Sequence, residues 1–350
     1  MIFMKFGKYR MIILISFVIF LLCLIKFFGI FELIGYHFLS FGGYVRPFEA
    51  RDDGSHYESF QGYPNIQDLH EWWYANFYDK NSSLSGLMML VVMGDLKSFK
   101  HIISLRLTVL NHSESLVEMG EIIPIDQYSW SKYESDIVLG ESRIEMLDSN
   151  TYWVYIKSKN ENIELNLTYK RVTPGFSKRD SFFGEKVFWI VPLPLAKVEG
   201  FLVYNEKKIY INGKGYHDHN YGFLTGHKWD WAEVGDLDNN LGIVFTKANI
   251  ENKTIGSIIV IDDKKIITQI SYPHADVEYI ETIEKNGRKF PTKLHIYGEK
   301  DRYVVDLYVN AVGNDLLIYT FTGNVTKNNE VLYSIQNEIG FLVASYDINL

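Results

Sequence analysis

Only one cysteine, Cys23, occurs in the 350 residues, and it lies inside an apolar N-terminal run. The rest of the chain therefore has neither a disulfide framework nor a thiolate metal site. Basic patches with interleaved aromatics are missing too, and 43 acidic against 35 basic residues leave a net charge of −8. Nucleic acid is thereby excluded as a partner. Beyond residue 60, segments with a helical hydrophobic period are scarce and low-complexity tracts are absent. That excludes a helical bundle and leaves a β-rich chain.

What is abundant is aromatic. The chain holds 24 Tyr, 23 Phe and 7 Trp, residues that pack well on a pleated surface. Short runs such as "HIISLRLTVLN", "TYWVYIKSK", "IELNLTYKRV" and "IGSIIVIDD" alternate or are β-branched. Turn signals such as "DKNSS", "NHSES", "LDNN" and "KNGR" separate them. Many short strands at this spacing predict an all-β chain of barrels or sandwiches. Pro192 and Pro194 in "VPLPLAKVEG" interrupt central-strand pairing and mark a seam. The expected division is a cytoplasmic tail and membrane anchor over 1–31, a linker over 32–60 serving as tether or flap, and two β domains over 61–195 and 196–350.

The N-terminus reads differently. Residues 11–25, "MIILISFVIFLLCLI", continue past Lys26 into "FFGIF". With Lys26 snorkelling, that length spans a bilayer as a helix of about 20 residues. Lys5, Lys8 and Arg10 precede it and favour a cytoplasmic N-terminus. No small-x-small cleavage site follows closely, which favours an uncleaved signal anchor over a cleaved signal peptide. Both readings export the β domains. Sequons at Asn81, Asn111, Asn166, Asn252 and Asn324, all in polar, turn-like stretches, are compatible with export and glycosylation.

Two clusters stand out. In "HEWWYANFYD", an extended chain puts His70, Trp72, Tyr74 and Asn76 on one face, with Glu71, Trp73, Ala75 and Phe77 on the other. In "GKGYHDHNYG", Tyr216, Asp218 and Asn220 share one face, with His217, His219 and Tyr221 opposite. Trp229, Trp231 and Glu233 share a face on the next strand, and Gly213, Gly215 and Gly222 signal close backbone approach or a bulge. Three readings of the His-Asp-His triplet compete. A metal site needs His217 and His219 plus a ligand from elsewhere, such as His70 or Glu71, and none is encoded locally. A structural reading bonds the histidines to backbone at a strand corner. A catalytic reading makes Asp218 a general acid in an aromatic pocket.

"HEWWY", "VPLPLAKVEG", "GKGYHDHNYG" and "WDWAEV", in this order over roughly residues 50–350, resemble the hydroxyneurosporene synthase (carotenoid 1,2-hydratase) and AttH-like family. Kievitone hydratase and the lipocalin-like Diels–Alderases look like its relatives. The resemblance implies two tandem lipocalin-like β domains with a ligand pocket; the expected site has no cofactor and no metal. It implies Asp218 as proton donor, and matches the family's Trp-Trp-Tyr motif at Trp72, Trp73 and Tyr74. The chain departs in carrying Tyr221 where tryptophan is common, and Leu193 and Leu195 where Gln and Arg are frequent.

Alkene hydration begins with protonation at carbon, which a solvated carboxylate cannot do at neutral pH. An apolar pocket raises a carboxyl pKa by up to ~3–5 units, and tryptophan faces stabilise the resulting carbocation. The expected site therefore has Asp218 as acid, with His217, His219 and Asn220 orienting it. Trp72, Trp73, Tyr74, Tyr216, Tyr221, Trp229 and Trp231 are the expected pocket walls, with Glu71 also substrate-facing. Glu71 and Glu233 are candidate partners behind this layer. The expected partner is an apolar small molecule or lipid, isoprenoid-like in character. With water excluded, the same cation can cyclise or lose a proton, and a Diels–Alderase-like cyclase would act by proximity alone; the competing reading is a lipid-binding protein without chemistry.

Overall fold

The computed structural model describes residues 45–63, 65–97, 100–112, 114–158, 161–182, 185–223, 228–250, 253–285, 287–313 and 316–347. The anchor over 1–31 and the sequon at Asn252 lie outside these residues. Among the described residues the chain is strands and 3₁₀ turns, and no helix is long and apolar enough to cross a membrane.

Two antiparallel sheets divide the strands. The first contains β1 (Val45–Pro47), β2 (Leu69–Asp79), β3 (Leu84–Asp95), β4 (Lys100–Asn111), β5 (Glu114–Ile122), β6 (Tyr128–Trp130), β7 (Asp136–Leu139), β8 (Ser142–Asp148), β9 (Thr151–Ser158), β10 (Ile163–Arg171), β11 (Phe176–Phe182), β12 (Glu185–Tyr204) and β13 (Lys207–Phe223). The second contains β14 (Lys228–Asp236), β15 (Leu241–Ile250), β16 (Lys253–Ile261), β17 (Ile266–Ser271), β18 (Ala275–Lys285), β19 (Arg288–Lys300), β20 (Tyr303–Ala311), β21 (Ile318–Lys327) and β22 (Glu330–Asp347). The central run of the first sheet is β3-β2-β13-β12-β10, and that of the second is β15-β14-β22-β21. The all-β expectation and the two tandem units are both found.

The seam is elsewhere than expected. β12 runs straight through Pro192 and Pro194, and β12 and β13 both belong to the first sheet. The change of sheet falls between β13 and β14, so the division at 195/196 is corrected. The prolines sit where β12 exchanges partners. Its N-terminal half pairs with β11 as far as Val191, and from Ala196 it pairs with β10. Register shifts at Ile190/Leu193 and Leu193/Ala196 against β13 accommodate the corner. Two residues lacking an N–H cost nothing at a bulge where no partner needs that donor.

The lead-in is also more than a tether or flap. β1 pairs with β11, and Asp53, Ser55, Tyr57 and Phe60 are buried. Of the described sequons, Asn166 and Asn324 fall inside β10 and β21 rather than in turns.

Alternation sorts the core. Trp73, Ala75 and Phe77 of β2 point into the first sheet's own core with Leu105, Tyr152 and Tyr169. Tyr74 of β2 joins Tyr216, Trp189, Trp231 and Phe341 in a cluster between the sheets. β13 is the strand caught between these layers. From Gly215 to Phe223 every residue is buried, because the lead-in covers one face and the second sheet the other. Within the first sheet there is no room for a Cβ where β13 passes β2: one added at Gly215 would stand 2.4 Å from the Asn76 carbonyl oxygen.

Candidate functional site

The polar stretch His217-Asp218-His219-Asn220 lies in this doubly covered segment, so each side chain needs a partner inside the protein. Antiparallel pairing sets Asp218 opposite Tyr74, Asn220 opposite Trp72 and His219 opposite Trp73. The period of two then sends neighbours to opposite compartments.

Between the sheets stands Asp218. Its Oδ2 accepts hydrogen bonds from the Tyr216 hydroxyl at 2.8 Å and Trp189 Nε1 at 3.2 Å, while its Oδ1 accepts one from Asn220 Nδ2 at 3.0 Å. Burial pushes its carboxyl up, and these donors pull it part of the way back, leaving it at about 6. A second carboxyl enters the same layer from β14. Glu233 Oε1 accepts from Asn76 Nδ2 at 3.0 Å, and Asn76 Nδ2 also reaches the Tyr74 hydroxyl at 3.1 Å. Burial pushes Glu233 up to about 7 against the pull of Lys214 and Asn76, and the nearby Asp218 charge adds to the rise.

Aromatic rings line the same layer. Trp231 packs 5.3 Å from Tyr74 and 5.3 Å from Tyr216, ring centre to ring centre. Trp72 and Trp229, both half-buried, meet at 5.7 Å across the two sheets. Beside Glu233 a space of about 10 Å³ is lined by Asn76, Lys214, Gly235 and Phe341 among others, which is room for about one water. Lys214 spans the interface, donating to the Gly235 carbonyl and to Glu338 Oε2 at 2.6 Å. Two buried polar atoms in this layer have no hydrogen bond, Asn220 Oδ1 and Trp231 Nε1.

The opposite face of β13 holds a separate network. His217 is fixed by the Tyr74 carbonyl at 2.7 Å and by Asp53 Oδ2 at 3.0 Å. Burial pushes this imidazole down, but the charge and hydrogen bond of Asp53 outweigh it and raise its pKa. His219 Nε2 lies 3.1 Å from Glu71 Oε1, and its ring stacks on Trp73 at 4.5 Å. Glu71 also accepts from Ser55 Oγ at 2.9 Å and from the His56 amide at 2.6 Å. Burial pushes Glu71 up, yet the hydrogen bond from His219 and the adjacent His56 imidazole bring it down to about 2. Tyr221 stacks between His56 at 4.0 Å and Phe188 at 4.4 Å.

The structure thus gathers Trp72, Tyr74, Tyr216, Asp218, Asn220, Trp229, Trp231 and Glu233 in one layer. Glu71, Trp73, His217, His219 and Tyr221 lie on the other face. The expectation that His217 and His219 orient the Asp218 carboxyl is corrected; Tyr216, Trp189 and Asn220 do that instead. Trp189, Asn76 and Lys214 on one face, and Asp53, Ser55 and His56 on the other, were not singled out from the sequence. Asp53 and His56 were visible in "ARDDGSHYESF", whose polarity reads as exposure until its partners are known.

No protein-family model and no curated protein matches the chain in sequence. Its likeness is structural. An AttH-type protein of Nitrosomonas europaea superposes with a TM-score of 0.61 at 11% identity, covering 86% of this chain and 100% of that one. Kievitone hydratase from Nectria haematococca superposes with a TM-score of 0.53 at 14% identity, over 79% of this chain and 89% of that one. The chain has the AttH fold. The resemblance in its motifs therefore meets the architecture it implied, and at these identities the likeness speaks for the fold alone.

Proposed function

We propose that this protein adds water to an apolar alkene by acid catalysis in the layer between its two sheets. The observation that carries the reading is a pair of buried carboxyls, Asp218 and Glu233, in one layer with Tyr74, Trp189, Tyr216 and Trp231. The name of the fungal hydratase that shares the fold supports the same class of reaction.

The chemistry divides between the acids. Asp218 Oδ1 takes a single donor and can carry a proton; Oδ2, held by Tyr216 and Trp189, stabilises the anion once that proton leaves. Turning the Asn220 amide over gives a protonated Asp218 an acceptor, the Asn220 oxygen that now has none. Asp218 delivers its proton to the alkene carbon, and the positive charge develops on the adjacent carbon against the indole faces. Water from the space beside Glu233 attacks that carbon. Glu233, which borders that space, takes the proton the water releases. The net change is one H and one OH added across the double bond, with one proton moved from Asp218 to Glu233. Exchange with solvent resets the pair.

The substrate enters where Trp72 and Trp229 meet, two partly exposed indoles facing each other across the sheets. An anchor over residues 11–25 would keep this entrance beside a membrane source of apolar, isoprenoid-like alkenes, with the β domains exported. The test is incubation of the full-length chain, in detergent, with a lipid extract from its host, wild type beside Asp218→Asn. A product heavier by one water, formed by wild type alone, is expected. A lipid retained equally by both proteins without change of mass would replace the hydratase by a carrier.

A further inference from the structure

Beneath the lead-in, on the face of β13 turned away from Asp218, three ligand-type side chains converge. They are His56 from the lead-in, Glu71 of β2 and His219 of β13, and their ligating atoms all lie within 4.8 Å of one another. His219 Nε2 is 3.1 Å and His56 Nδ1 3.8 Å from the same oxygen, Glu71 Oε1. The Glu71 and His219 side chains are buried and His56 is 23% exposed, so the cluster is enclosed and reachable from one side.

A network that served packing alone would satisfy its buried atoms. This one leaves His56 Nδ1, His219 Nδ1 and Asp53 Oδ1 without a hydrogen bond. We propose that the cluster binds a divalent transition ion of the zinc class, through His56 Nδ1, Glu71 Oε1 and His219 Nε2. Two imidazoles and one carboxylate are a zinc ligand set, with bonds of ~2.0–2.2 Å and a fourth position left for water. Tetrahedral bonds of that length put ligand atoms roughly 3.4 Å apart. The His56–Glu71 gap must close, and the His219–Glu71 gap open, each by a few tenths of an ångström to meet that spacing.

The surroundings are those of a metal-ligating histidine. Asp53 Oδ1 lies 3.5 Å from His219 Nδ1, so a slight approach would let an imidazole bonded to an ion through Nε2 donate its other N–H to a buried carboxylate. Stacking on Trp73 and Tyr221 holds the His219 and His56 ring planes. The rival occupant is a proton, with His219 as an imidazolium between Glu71 and Asp53. That arrangement satisfies His219 and leaves His56 Nδ1 empty. The ion engages His56 Nδ1, Glu71 Oε1 and His219 Nε2 at once and ties the lead-in to the β2–β13 pair. It stands on the far face of β13 from Asp218, and the hydration chemistry does not pass through it.

Calorimetric titration of the chelator-treated, full-length chain with ZnCl₂ tests this, alongside His56→Ala and the surface control His295→Ala. One Zn²⁺ per wild-type chain is expected. His56→Ala should bind at least about tenfold more weakly, and His295→Ala should bind as wild type. No binding, or equal affinity in His56→Ala, overturns the site. Should His56→Ala not fold, crystals of wild type soaked in ZnCl₂ decide the matter. An anomalous peak between the three side chains supports the site, and a peak only elsewhere, or none, overturns it.

Discussion

Asp218 and His219 are adjacent in sequence, yet the Asp218 carboxyl is bonded to Trp189 between the sheets while the His219 imidazole meets Glu71 beneath the lead-in. The two faces of β13 therefore answer to different measurements. Asp218→Asn is isosteric, and turning Asn220 over satisfies the new amide. It should abolish water addition and leave the unfolding midpoint near wild type. His219→Ala removes the Nε2 partner of buried Glu71 and the stack on Trp73. It should cost about 1–3 kcal/mol in stability, measured by urea unfolding in chelator. Equal stability losses in both variants would refute this division of labour.

Glu233 gives stability a pH dependence of definite sign. Its carboxyl is held at about 7 in the folded chain against an ordinary 4.5, with burial as the main cause. The folded state binds this proton more tightly than the unfolded state. Its contribution is therefore full below pH 4.5 and is lost as the pH rises towards 7. The whole window amounts to about 3 kcal/mol. Glu233→Gln should flatten the decline between pH 5 and 7 and raise stability at pH 8. The check is chemical unfolding at a series of pH values; an unchanged slope in the variant would place the titration on another group.

Gly215 tests the close pass of β13 over β2. A Cβ there meets the Asn76 carbonyl at 2.4 Å and also the Tyr169 ring and Val198. Backbone cannot turn aside as a side chain does, so Gly215→Ala should destabilise by about 1–3 kcal/mol. It should also shift Asn76 and weaken its bond to Glu233. Gly120, whose Cβ would meet nothing within 4 Å, is the control. A Gly215→Ala variant as stable as Gly120→Ala would show that the strands separate freely.

The all-β class was legible because strand spacing and turn residues are local signals, and the period of two correctly sorted Tyr216, Asp218 and Asn220 from His217, His219 and Tyr221. The same period already argued against histidines orienting Asp218, which proximity in sequence had suggested. Other features were not local. Pro192 and Pro194 mark a corner within one sheet, because β12 changes partner there without leaving the sheet. Asp53 and His56 read as an exposed tether, since nothing in "ARDDGSH" reveals that Glu71, His217 and His219 await it some 15 to 166 residues later. Trp189 was hidden in an apolar run, where its indole N–H has no sequence signature.

The indole faces provide the sharpest test of the proposed chemistry. Trp231 packs on Tyr74 and Tyr216, both beside the carboxyl pair, and Trp229 meets Trp72 at the entrance. A carbocation next to an indole gains about 0.5–2 kcal/mol, more than next to a phenyl ring. The neutral alkene gains little from the same face, so the benefit belongs to the transition state and enters kcat. Trp231→Phe keeps an aromatic wall and should slow hydration by about 2- to 30-fold with KM nearly unchanged. Trp229→Phe, nearer the entrance, should change KM more than kcat. If Trp231→Phe instead raised KM at constant kcat, the ring would be a wall for the ground state, and charge development at this position would be ruled out.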